Sequence, residues 1–188
     1  VLESSDPHTM LEFAGEILPE DTILAEERLE GFEISIFALT DGKTYKILPS
    51  CADFKKALPH DEGPNTGGMG SICPVPMVTN ELMQQIETEI VAPTFSAMQK
   101  EGLSYKGVLY FGLMVTSEGP RVLEYNVRFG DPETQVLLPR IESDFGNLTE
   151  AMAQQRLADF PIKISPEYTL GVVIASPGYP GQYPKGLE

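Results

Sequence analysis

Glu124-Tyr-Asn-Val-Arg-Phe-Gly-Asp-Pro-Glu133 is the stretch whose residue types and spacing best suit chemistry. Side chains alternate across a β-strand, so Glu124, Asn126 and Arg128 share one face, while Leu123, Tyr125 and Val127 share the other, which is apolar and suited to burial. A carboxylate and an amide oxygen about 6.6 Å apart along a strand are hard donors of the kind Mg²⁺ prefers, and a guanidinium beside them neutralises phosphate. Together they outline a site for a metal-bound phosphate. The same alternation also describes a strand with one solvated face, and spacing alone leaves both readings open.

A second candidate is Gly63-Pro-Asn-Thr-Gly-Gly-Met-Gly70, in which four glycines within eight residues allow positive φ and close approach of backbone amides to a ligand. It fits neither G-x-G-x-x-G nor G-x-x-x-x-G-K-[ST], which disfavours the common nucleotide folds. A flexible surface turn is the competing reading.

The elements that must position these residues follow from periodicity and punctuation. Ser5-Asp6-Pro7 starts a helix of about three turns that ends near Pro19. Thr22 to Leu29, Glu33 to Thr40 and Lys43 to Pro49 read as strands, the last two joined at Asp41-Gly42, a hairpin signal. Residues 50–76 lose the apolar pattern and read as a long working loop. Thr79 to Lys100 is a helix that Pro93 must kink or divide. Lys106 to Thr116 and Arg121 to Arg128 form a second hairpin through Ser117-Glu-Gly-Pro120, with Gly107 and Gly112 marking close packing or a ligand overhead. A short helix or turn after Asp131-Pro132, a helix over Asp144 to Leu157 and a strand over Tyr168 to Ser176 complete an α+β chain.

With 13 basic against 28 acidic residues in 188, the net charge of −15 argues against nucleic-acid backbones and anionic membranes as partners. A single nucleotide remains possible, because a divalent cation reverses the local field. Cys51 and Cys73 form no ligand motif and read as reduced thiols of a cytoplasmic protein. No apolar run approaches the ~20 residues of a membrane helix. His8 and His60 read as solvated, and Met69, Met77, Met83 and Met98 as gap-filling side chains. The chain opens at Val1 and stops after Gly186-Leu187-Glu188, which reads as a piece of something longer.

Taken in order, the Gly63–Gly70 loop, Tyr110-Phe-Gly-Leu113 and Glu124 to Thr134 resemble the ATP-grasp core of the phosphoribosylamine–glycine ligase family, and Gly171-Val-Val-Ile-Ala-Ser-Pro-Gly-Tyr-Pro180 is similar to the segment leading into its C-terminal domain. The resemblance runs from about residue 23 to 180. It implies an ATP-grasp fold, an antiparallel sheet flanked by helices, with residues 1–21 ending the first subdomain, 22–166 forming the core and 167–188 beginning the C-terminal domain.

In that family ATP phosphorylates glycine, and 5-phosphoribosylamine attacks the glycyl phosphate to give glycinamide ribonucleotide, a step of purine synthesis. The resemblance assigns Glu124 and Asn126 to Mg²⁺ or Mn²⁺, and Arg128 to the transferring phosphoryl group. It assigns Glu26, Glu27 and Leu29 to the adenine edge and Glu33 to the ribose. Lys55, Asn65, Thr66, Gly67, Gly68, Asp131, Pro132 and Glu133 fall to the phosphates and substrates. Glu26 and Glu27 read equally as a surface acidic run, Lys55 as a solvated side chain and Asp131 as a helix cap. No second acid replaces the apolar Tyr110 to Met114 stretch. The family is also longer, so the isolated chain is expected to be inactive, and the complete protein a monomer. A non-catalytic Mg-nucleotide-binding module is the alternative.

Overall fold

The computed structural model describes residues 4–186. Val1, Leu187 and Glu188, on which the reading of a truncated chain partly rests, lie outside the described residues. The chain divides into two compact units, one up to Glu30 and one from Gly31 onward.

The first unit holds helix α1, Pro7–Ile17, whose entry is fixed as expected: Asp6 accepts backbone N–H groups of His8 and Thr9 at 3.2 and 3.1 Å. The strand expected over Thr22 to Leu29 does not form; residues 22–30 carry no regular structure. β-propensity is largely a preference for a paired, half-buried surface, and this segment finds no ladder within its own unit.

The second unit is built on a four-stranded antiparallel sheet. β1 (Phe32–Thr40) lies between β2 (Tyr45–Ile47) and β7 (Gly107–Thr116), and β8 (Gly119–Asn126) forms the other edge. The Asp41-Gly42 hairpin forms as expected, since one Asp41 oxygen accepts the N–H groups of Lys43 and Thr44 at 2.9 and 2.8 Å and Gly42 takes φ +87°. The stretch expected to be loop instead contains β3 (Ala52–Asp53), β4 (Lys56–Leu58), β5 (Glu62–Asn65) and β6 (Gly70–Cys73). These strands are two to four residues long, too short to show a period. β6 joins β3 to β9 (Thr169–Val172) in a second sheet, and β4 pairs with β5.

Thr79 caps α2 (Asn80–Ile86) through the Leu82 N–H, and a π-helical turn over Glu87–Val91 leads into α3 (Ala92–Lys100). The helix is thus divided next to Pro93, which falls in the first turn of α3 just past the wide turn, and the Thr94 hydroxyl donates to the Ile90 carbonyl at 2.7 Å. Among the described residues the further α-helices are α4 (Glu133–Leu137) and α5 (Phe145–Ala153), the latter ending short of the expected Leu157.

Both faces of the main sheet are covered, which is why β1 is buried from Ile34 to Thr40. On one face Ile34, Ile36, Leu109, Phe111 and Leu113 pack with Ile86, Ile90, Val91 and Phe95 of the long helix. On the other, Phe37, Leu39 and Tyr110 pack with Leu48, Val136, Leu137 and Leu148. Met83 and Met98 do fill gaps beside the first core, whereas Met77 is exposed. Both histidines are exposed, and both cysteines are free and buried. No helix among the described residues is long and apolar enough to cross a membrane.

Candidate active site

Glu124 and Asn126 do share a face. In the ladder Glu124 stands opposite Gly112 and Asn126 opposite Tyr110, and the Asn126 amide donates to Glu124 Oε1 at 3.1 Å. Gly112 is there for space: a Cβ would come within 2.9 Å of Glu124 Cγ, so any side chain would lift the carboxylate off the sheet.

Three features of this strand differ from the alternating pattern. Its register shifts between Gly112 and Leu113, so Leu123 has no partner across the ladder. Leu123, Tyr125 and Val127 are 37, 50 and 70% exposed, not buried, because β8 is the sheet edge. The strand also ends at Asn126, so Arg128 is not held by its register. Arg128 sits in the following bend, where it donates to the Phe129 carbonyl at 2.8 Å and still lines the same cavity as Glu124 and Asn126.

That cavity, about 130 Å³, is also lined by Asp53, Lys55, Thr66, Gly67, Tyr110, Asp131 and Glu133. Segments far apart in sequence thus meet at one point. The floor is a buried hydrogen-bonded chain: Ser35 donates to Glu133 Oε1 at 2.7 Å and its hydroxyl lies 3.0 Å from the Tyr110 hydroxyl. Glu133, only 3% exposed, curls back over Gly130, where a Cβ would lie 2.3 Å from Glu133 Oε2. Burial pushes the Tyr110 phenol up to about 12, with Glu133 and Asp53 adding to the effect against the Ser35 hydrogen bond.

On the adjoining wall Lys55 reaches Glu33 at 2.5 Å and lies 3.9 Å from Asp53. Burial opposes the Lys55 charge, but the Glu33 hydrogen bond and the Asp53 carboxylate outweigh it, and the ammonium is held above its usual range. Burial moves Asp53 the other way from an ordinary carboxylate, raising its affinity for a proton despite the nearby Lys55; Glu133 and Glu33 reinforce the rise.

The glycine loop is clamped. Thr66 donates through its N–H and hydroxyl to the Lys55 carbonyl at 2.7 and 2.8 Å, and the Tyr179 hydroxyl accepts the Gly67 N–H at 2.9 Å. Gly68 adopts φ +117°, and a Cβ there would meet Pro132 Cδ at 2.4 Å, so the glycine loop and the Asp131-Pro132 turn are packed directly together. Ser71 completes the contact by donating to the Pro132 carbonyl at 2.8 Å.

The structure therefore brings together Glu124, Asn126, Arg128, Lys55, Thr66, Gly67, Asp131 and Glu133. Gly68 and Pro132 are buried behind the cavity and act on it as packing, and Asn65 is exposed on β5 away from it. Asp131 does not cap α4; it accepts the Gln135 amide at 2.7 Å. Glu33 touches the site through Lys55, and Glu26 and Glu27, exposed, and Leu29, half-buried, lie in the irregular segment of the first unit. The residues missing from the sequence-based set are Asp53, Tyr110, Ser35 and Gly130. Gly130 and Tyr110 lie inside the motifs quoted above, Asp53 is a carboxylate two positions before a lysine at the edge of the glycine loop, and Ser35 carries no local signal.

Among the described residues no group of three His, Cys, Asp or Glu side chains could enclose a metal. Glu124 and Asn126 instead offer a two-residue oxygen platform, which fits Mg²⁺ or Mn²⁺ whose other positions are filled by phosphate and water.

A family model described as phosphoribosylglycinamide synthetase, ATP-grasp (A) domain, matches residues 10–134. The phosphoribosylamine–glycine ligase of Caldanaerobacter subterraneus subsp. tengcongensis is 48% identical over 168 residues, covering 89% of this chain and 40% of that protein. The crystal structure of phosphoribosylamine–glycine ligase from Thermotoga maritima superposes with a TM-score of 0.72 at 37% identity, covering 86% of this chain and 40% of that one. An L-amino acid ligase from Bacillus licheniformis shares the fold at a TM-score of 0.65 and 17% identity, over 93% of this chain and 42% of that one. The chain thus spans about 40% of the length of the two ligase relatives. With the model match reaching across β1, the glycine loop and β8, the chain belongs to the phosphoribosylglycinamide synthetase ATP-grasp domain family.

Proposed function

We propose that this chain forms the phosphate-binding and substrate-binding floor of an ATP-dependent ligase that joins glycine to 5-phosphoribosylamine through glycyl phosphate, giving glycinamide ribonucleotide, ADP and phosphate. The observation that carries this reading is the convergence of Lys55, the Gly67 loop, Glu124, Asn126 and the Gly130–Glu133 turn on one cavity. The cavity sets four carboxylates, Asp53, Glu124, Asp131 and Glu133, against two cations, Lys55 and Arg128. Such a site repels a bare triphosphate and suits one carried by a divalent cation, which supplies positive charge to the phosphates when bound.

In this reading Glu124 and Asn126 hold Mg²⁺ or Mn²⁺, with Glu124 Oε2 and Asn126 Oδ1 as the atoms not spent on their mutual hydrogen bond. The glycine carboxylate attacks the terminal phosphorus, ADP leaves, and the amine displaces phosphate from the acyl group. Arg128 neutralises charge on the transferring phosphoryl group, a role in which positioning and electrostatics supply most of the catalysis. Lys55, oriented by Glu33, contacts a phosphate, and Thr66, Gly67, Asp131 and Glu133 frame the two substrates. Gly68 and Pro132 hold that frame in register. The contacts of Glu26, Glu27 and Leu29 to adenine, of Glu33 to ribose and of Asn65 to substrate rest on the resemblance alone. So do the domain limits at residues 21 and 166, a monomeric state and a cytoplasmic setting, the last consistent with two free thiols.

The test is phosphate release by the full-length gene product supplied with Mg-ATP and 5-phosphoribosylamine. Release that depends on added glycine supports the reading. Glycine-independent release, or none, refutes it.

A further inference from the structure

The proposed reaction leaves one proton without a destination. When the amine of phosphoribosylamine bonds to the acyl carbon it acquires a fourth bond, and an N–H proton must depart as phosphate leaves. The cavity holds four carboxylates that could accept it. Glu124 is tied to the Asn126 amide and assigned to the cation. Asp131 holds the Gln135 amide at 2.7 Å. Glu133 takes the Ser35 hydroxyl at 2.7 Å and is wedged against Gly130 in the floor.

Asp53 differs from all three. It stands on β3 opposite Ser71, its side chain is 10% exposed, and among the described residues no side-chain hydroxyl or amide donates to its carboxylate. The Lys55 ammonium, 3.9 Å away, is already taken by Glu33 at 2.5 Å. The other charged or titratable groups around it are Glu133 from α4, Glu33 from β1 and Tyr110 from β7.

We infer that Asp53 is the proton acceptor for the attacking amine, an inference that rests on the ligase reading above. Nitrogen bonds to the acyl carbon, the N–H proton passes to an Asp53 carboxylate oxygen, and the bond from the acyl carbon to the phosphate oxygen breaks, with phosphate leaving as the electron pair's new owner. Asp53 then returns the proton to water. Burial and the surrounding acids raise its proton affinity, as a base operating near neutrality requires. Lys55 beside it limits that rise.

The experiment offers the full-length gene product Mg-ATP and glycine with either of two nucleophiles, 5-phosphoribosylamine or hydroxylamine, which is neutral near pH 7 and traps glycyl phosphate without help from a base. In Asp53→Asn, ligation of phosphoribosylamine falls about 10²–10⁴-fold while glycyl hydroxamate forms within about twofold of the wild-type rate. Asp53→Glu keeps a carboxylate and ligates at least about tenfold faster than Asp53→Asn. Parallel loss of both products in Asp53→Asn would place Asp53 in glycine activation and overturn the inference, as would retention of both. Equal ligation by the Glu and Asn variants overturns it too. If the wild-type protein forms no hydroxamate from glycine and ATP, the ligase reading itself fails, and that outcome is read before any variant is made.

Discussion

Along β7, neighbouring residues live in different environments. Leu109, Phe111 and Leu113 enter the core beneath the long helix, while Tyr110 and Gly112 stand opposite Asn126 and Glu124 in the ladder. One strand therefore serves stability on one face and chemistry on the other, separated by a single residue step. The helix-side face is held by apolar packing. The other face has an apolar core where Phe37 and Leu39 pack on Leu48 and Leu137, and at the cavity it is organised by polar atoms: the Ser35, Tyr110 and Glu133 chain, the Lys55 and Glu33 pair and the Glu124 and Asn126 contact. Residues of the first face are expected to set how much protein is folded, and residues of the second how fast the folded protein works.

The largest effect expected is on the packed face. Phe111→Ala deletes a fully buried ring from that core and lowers stability by about 3–5 kcal/mol, read as a shifted urea midpoint. The turnover of the remaining folded molecules should be unchanged. On the polar face, Glu124→Ala lowers glycine-dependent turnover about 10²–10³-fold, or about 2.7–4 kcal/mol, while the melting temperature stays at the wild-type value because Glu124 is exposed. A stability loss in Glu124→Ala comparable to that of Phe111→Ala would break the comparison.

Gly68→Ala probes where the two roles merge. Its Cβ would meet the Pro132 ring at 2.4 Å with φ at +117°, so it should cost about 1–3 kcal/mol and, by moving the Asp131-Pro132 turn, reduce turnover as well. The smallest effect belongs to Asp41, remote from the cavity. Burial works against its charge, but N–H groups of Thr44, Lys43 and Leu157 prevail and hold its carboxyl below the usual range. A group lowered on folding contributes its stability above the unfolded carboxylate pKa and loses it as pH falls through the lower folded value. Asp41→Asn should therefore flatten the acid limb of a melting-temperature profile and leave the neutral-pH activity unaltered.

How far the sequence could be read depended on whether the needed information was local. Glu124 and Asn126 were visible because strand alternation puts residues two apart on one face, and Asp41-Gly42 because a turn carries its own hydrogen bonds. Arg128 lines the same cavity as Glu124 and Asn126, but not through strand alternation, since the strand ends before it. The apolar side chains of β8 were expected to be buried because alternation says which face they share, not whether that strand lies at an edge. Thr22 to Leu29 had the composition of a strand without a partner. The short strands within residues 50–76 had partners without the length to show a period. Ser35 and Tyr110 were invisible as site residues because their roles arise from contacts 98 and 75 positions distant in sequence.

The central claim is that Glu124 and Asn126 form a platform for metal-bound phosphate. Calorimetry of ATP binding to the full-length gene product, with and without Mg²⁺, for the wild type and for Glu124→Ala tests it most directly. Affinity that rises with Mg²⁺ in the wild type and loses that rise in Glu124→Ala is the predicted result. An Mg²⁺ enhancement that survives Glu124→Ala undiminished would contradict it.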